Sequence, residues 1–111
     1  MPGCPVYDPR RGAGVLQRMK SIVQDMENPR CFLCGAVRGL ELHHIMHGTA
    51  NRRLSTRYGL TCLLCRTHHT GKFGVHYDSA INHELQRMAQ TAFEKRYSHA
   101  MWMKVFGKNY L

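Results

Sequence analysis

Carboxylates are scarce in this 111-residue chain: seven Asp and Glu stand against sixteen Lys and Arg, a formal charge of +9. They are scarcest in the middle. From Asn28 to Tyr77 the chain carries Arg30, Arg38, Arg52, Arg53, Arg57, Arg66 and Lys72, with Glu41 as the one acid. That scarcity excludes a centre built there from several carboxylates around two metal ions. Long apolar runs are also lacking, since none approaches the roughly 18–20 residues of a membrane span. The opening Met-Pro-Gly-Cys-Pro has no apolar signal-peptide core, so a cytoplasmic location is expected. Five cysteines is an odd number, which disfavours a secreted disulfide scaffold and favours thiolate ligands. No internal repeat or low-complexity tract interrupts the chain.

What remains is a single domain of ordinary composition, 43% hydrophobic and 21% charged. Its excess of positive charge attracts polyanions, so nucleic acid, DNA above all, is the expected partner and a membrane is not.

The expected fold class is α+β. Residues 1–14 hold three prolines and three glycines and read as a flexible tail. Val15, Leu16, Met19, Ile22, Val23 and Met26 recur at helical spacing, which predicts a helix over 15–28 that stops at Asn28-Pro29. A core over 30–76 contains two short strands, Leu40 to Ile45 and Leu60 to Leu64. The polar stretch between them, Gly48 to Gly59, reads as a loop. Residues 78–111 hold two helices. One begins at Asp78-Ser79 and carries Ile81, Leu85, Met88, Ala89, Ala92, Phe93 and Tyr97. The other runs from His99 to Phe106 between Ser98 and Gly107.

Two cysteine pairs lie in the core, Cys31-Phe-Leu-Cys34 and Cys62-Leu-Leu-Cys65, the second continuing into Arg66-Thr-His68-His69. Pairs at this spacing hold a structural zinc ion. The second pair has two registers: Cys62 with Cys65, or Cys65 with His68 at the same i, i+3 interval. The latter is preferred, because Leu60, Cys62 and Leu64 share one parity of a strand and Cys62 is then a packed residue. The expected zinc ligands are Cys31, Cys34, Cys65 and His68, with Cys4 a bystander. Of eight histidines, six lie between positions 43 and 76: His43, His44, His47, His68, His69 and His76. Neutral imidazole serves as a metal ligand or as a general base near pH 7. His83 and His99 read as surface residues.

The order of these elements, Cys-x-x-Cys, then Leu-Glu-Leu-His43-His44-Ile, then Cys62-Leu-Leu-Cys-Arg-Thr-His-His, resembles the HNH endonucleases of the ββα-metal superfamily, and small phage or prophage-encoded members in particular. The resemblance spans roughly Arg30 to His76. It implies a zinc-stabilised ββα finger acting in a bacterial or phage-infected cell. It also implies a divalent cation such as Mg²⁺ or Mn²⁺, held by His43, His69 and His76, and His44 as general base in hydrolysis of a DNA phosphodiester. Arg52, Arg53, Arg57, Arg66 and Lys72 would then hold phosphates. The family's central Asn has no counterpart just before the second strand, where Tyr58-Gly59-Leu60 stands, and Asn51 lies eight residues upstream of Gly59. The same residues also fit a non-catalytic zinc module that binds nucleic acid. A third reading is a small phage protein that docks on an acidic host protein.

Overall fold

The computed structural model describes residues 20–72 and 74–111. Two five-residue strands, β1 (Leu40–His44) and β2 (Thr61–Cys65), form an antiparallel sheet, with helix α1 (Thr49–Tyr58) between them in sequence. A single turn of helix, α2 (Arg66–His69), follows β2 directly, and α3 (Ser79–Arg96) and α4 (His99–Phe106) complete the chain. The protein is thus a small α+β fold. None of the described helices is long and apolar enough to cross a membrane.

The register pairs Leu40 with Cys65, Glu41 with Leu64, Leu42 with Leu63, His43 with Cys62 and His44 with Thr61. Cross-strand partners share a face, so Leu40, Leu42, Leu63 and Cys65 look one way and Glu41, His43, Cys62 and Leu64 the other. Both faces are covered: the first four residues of each strand are buried. The strands fall within one residue of their expected bounds.

The helix expected over 15–28 is not found in its described part, and residues 15–19 lie outside the described residues. Residues 20–28 run as bends and turns. The reason is local. Ser21 Oγ accepts from the amides of Val23 (3.1 Å) and Gln24 (3.0 Å), and Asp25 accepts from Glu27 N–H (2.9 Å), offering the backbone an alternative to helical bonds. The segment also seals the outer edge of β2. Ser21 Oγ donates to Thr61 O (2.7 Å), Gln24 Oε1 accepts from Leu63 N–H (2.8 Å), and Phe32 N–H donates to Leu63 O (2.8 Å). An open strand edge is thereby closed without a third strand.

The loop expected over Gly48 to Gly59 is instead helix α1. Its polar composition hides it. Its one buried residue is Ser55, whose hydroxyl both accepts from Met46 N–H and donates to Met46 O at 3.1 Å. The helix ends at Gly59, which sits at φ 71° in the left-handed region. A Cβ there would also come within 3.2 Å of Ile22 N, so Gly59 is required twice over.

The C-terminal helices follow their sequence signals closely. Asp78 caps α3 by accepting from Ala80 N–H (3.0 Å) and Ile81 N–H (3.2 Å), and Ser98 caps α4 through Met101 N–H (3.0 Å). Leu85, Ala89 and Phe93 recur on the buried side of α3. Phe93 meets Trp102 edge-on at 5.3 Å and Tyr58 of α1 at 5.2 Å, so one ring joins three helices. Replacing Phe93 by Ala should therefore cost about 3–5 kcal/mol. It should read as a lower urea midpoint with unchanged slope.

Candidate metal centres and the adjoining groove

The first centre gathers residues from three places. Cys31 and Cys34 come from the turn before β1, Cys65 from the end of β2 and His68 from α2. Their ligand atoms all lie within 4.8 Å of one another. Cys34 Sγ is 3.7 Å from Cys65 Sγ, Cys31 Sγ is 3.9 Å from His68 Nδ1, and Cys65 Sγ is 3.3 Å from the same nitrogen. A tetrahedron with arms of about 2.0–2.3 Å has edges of about 3.3–3.8 Å, so one ion fits at the middle. The cluster can bind a metal such as zinc. Around Cys31, burial works against the thiolate, but backbone N–H groups outweigh it and hold the pKa below its ordinary value.

Cys62 stands apart from this group. It is fully buried on the opposite face of the sheet, beside His43, and burial pushes its thiol well above the ordinary range. Cys62 is a packed thiol and no ligand atom of the cluster. Cys4 lies outside the described residues.

The second centre is made of histidines. His43 from β1, His69 from the end of α2 and His76 from the turn before α3 bring three ring nitrogens within 4.8 Å of one another. Two observations set this group apart from ordinary packed histidines. His43 is 2% exposed, yet its Nε2 is buried without a hydrogen-bond partner among the described residues. Leaving such an atom unpaired is costly, and a metal ion would satisfy it. The other observation is Glu41, whose carboxylate lies 2.8 Å from His69 Nδ1 with both side chains buried. Nδ1–H donates to this carboxylate, which leaves Nε2 of His69 with its lone pair free to ligate. Burial, reinforced by the surrounding histidines, drives the His43 pKa down to about 2, and burial also lowers that of His76. Both rings are neutral at pH 7, the state a metal ligand requires.

His44 and His47 adjoin the trio. Adjacent residues of a strand point apart, but His44 ends β1, and both His43 and His44 line the same groove. Thr56 Oγ1 donates to Arg52 O (3.2 Å) and lies 3.1 Å from His44 Nε2. With the hydroxyl hydrogen engaged there, Nε2 is the donor and Nδ1 carries the basic lone pair. His47 Nε2 donates in turn to Asn82 Oδ1 (2.8 Å), and its ring lies 5.3 Å from that of His43.

The groove is open to solvent and has a volume of about 810 Å³, and its walls include Arg52, Arg53, Thr56 and Tyr77 as well as these histidines. Of the expected phosphate contacts, Arg52 and Arg53 reach it. Arg57, Arg66 and Lys72 do not line it: Arg57 lies over the Tyr58 ring at 5.6 Å, and Arg66 and Lys72 are exposed elsewhere. Asn51, in the first turn of α1, does not line it either.

Sequence reasoning missed Glu41, Thr56, Asn82 and Tyr77. Only Glu41 had a readable signal. It sits two residues before His43, hence on the same strand face, and it is the sole acid in fifty residues.

Models of known protein families, the curated proteins and the solved structures all yield no match to this chain. The likeness to HNH endonucleases therefore rests on the residues themselves.

Metal analysis separates the two cysteine registers. The purified protein should hold zinc tightly, Cys34→Ala and His68→Ala should each lose it, and Cys62→Ala should keep it. Loss in Cys62→Ala with retention in His68→Ala would assign the site to four cysteines instead.

Proposed function

We propose that the chain is a metal-dependent HNH-type endonuclease that hydrolyses DNA phosphodiester bonds, its finger held by a structural zinc at Cys31, Cys34, Cys65 and His68. The observation that carries this reading is the orphaned His43 Nε2 inside a trio of converging histidine nitrogens, in one groove with His44 and two arginines. The pairing of β1 with β2 and the helical turn α2 directly after β2 support the ββα scaffold, with α1 as an addition between the strands. The local charge supports the substrate class, since a groove walled by Arg52 and Arg53 draws a phosphate backbone.

In this reading His43, His69 and His76 would hold one divalent cation, Mg²⁺, Mn²⁺ or another, and three imidazole nitrogens suit a transition-metal ion better than Mg²⁺. Bound there, the cation would offset the charge that develops on the phosphate and the leaving 3′ oxygen. His44 Nδ1 takes the proton of the attacking water, while the contact between Nε2 and Thr56 fixes the ring and its tautomer. Glu41 holds His69 in the orientation and tautomer that a ligand needs. Arg52 and Arg53 position the backbone on either side of the scissile bond.

Supercoiled plasmid incubated with Mg²⁺ or Mn²⁺ should be nicked, and His44→Ala should slow nicking by roughly 10²–10⁴-fold with DNA affinity retained. Burial, then the Arg52 guanidinium, lowers the His44 pKa below its ordinary 6.5. The neutral base thus prevails at pH 7, and the rate should fall only as the pH drops through a value below 6.5. Glu41→Gln removes the charge behind His69 and should weaken divalent-cation affinity by about 10–100-fold, measured as the metal concentration needed for half-maximal rate. A wild-type protein that binds DNA but fails to cleave it whichever divalent metal is supplied would instead be a zinc-containing binding module.

A further inference from the structure

We propose that the groove accepts an unpaired nucleotide, with Tyr77 as the platform on which its base stacks. The substrate class is then single-stranded or locally unwound nucleic acid, not intact duplex. The inference deepens the nuclease reading and rests on it only for the fate of the phosphate.

The other three described tyrosines each lie against another ring: Tyr58 against Phe93, Tyr97 against Phe93 and Tyr110 against Trp102. Tyr77 differs. Its side chain is 73% exposed, the most of any large apolar or aromatic residue described, and it lines the groove together with His43, His44, Arg52 and Arg53. A lone exposed ring is unremarkable when it sits on a mobile loop. This one stands on a fixed base. Tyr77 N–H and Asp78 N–H both donate to Gly74 O at 3.0 Å, and the Asp78 carboxylate is committed to capping α3. An exposed ring that shares a groove with two arginines and the histidine trio matches the pairing used for unpaired strands, in which cations follow the backbone and an aromatic face takes a base.

Shape and stacking make the choice between single strand and duplex. The groove's 810 Å³ falls within the range of about 300–1,000 Å³ typical of concave sites that enclose one small ligand. In a duplex each base is already stacked on both faces, so the Tyr77 ring gains a partner only after a base is extruded, at a cost a single strand does not bear.

Fluorescence anisotropy with a labelled oligothymidylate and a duplex of equal length, without added divalent cation, tests the assignment. Wild type should bind the single strand more tightly. Tyr77→Ala should weaken single-strand binding by about 5- to 150-fold and change duplex binding by less than about twofold, and Tyr77→Phe should keep the wild-type preference. Equal affinity of wild type for both strands overturns the proposal. So does an equal loss on both in Tyr77→Ala, or a Tyr77→Phe that behaves like Tyr77→Ala. Tyr77-dependent single-strand binding with no cleavage once a divalent cation is added overturns the hydrolytic reading alone, whereas absence of binding to either nucleic acid overturns both.

Discussion

The pairing of β1 with β2 in one register is the constraint on which both candidate centres depend. His43 stands opposite Cys62 and Leu40 opposite Cys65. This sends the histidine to one face of the sheet and the Cys65 thiolate to the other, so two different donor sets grow from the same ten residues. A slip of one residue would exchange the faces, carrying Cys65 away from Cys31 and Cys34. Two strands alone are marginal in water, and here the register is pinned from outside the sheet. Side chains of Ser21 and Gln24 and the amide of Phe32 lock the β2 edge, while Leu40, Leu42 and Leu63 are buried beneath.

Electrostatically the chain is divided in an instructive way. Its exterior is strongly positive, yet His43 and His76 at the groove are kept neutral by desolvation and by the neighbouring histidines. Additional cations there would compete with a metal ion for the same space. Instead the positive charge stands on Arg52 and Arg53 at the groove wall, and the one buried carboxylate is engaged with His69. The arrangement keeps the fixed positive charge of the arginines apart from the converging imidazole nitrogens.

Much of this was legible in the sequence where local chemistry decides. The cysteine spacing, strand parity and cap residues of the last two helices are short-range signals, and Cys62, Asp78 and Ser98 stand where those signals place them. The N-terminal segment was misread because Ile22, Val23 and Met26 pack at helical spacing without a helix. Its backbone is claimed by the Ser21 and Asp25 side chains and, at Lys20 O, by the Thr61 hydroxyl of β2. Helix α1 was hidden for the opposite reason, since it buries a serine and no apolar stripe. In the site, the His43, His69 and His76 grouping could be expected from a family resemblance. The partners that fix tautomers, Thr56 and Asn82, lie in other elements and leave no trace in spacing.

Helix α2 is only four residues long, and two of its residues face different centres: His68 belongs to the sulfur cluster and His69 to the histidine trio. Consecutive residues on one turn share their backbone torsions, so fixing one imidazole largely fixes the next. A metal such as zinc held by the sulfur cluster would therefore order His69 along with His68, and with it the Glu41–His69 contact on the other face of the sheet.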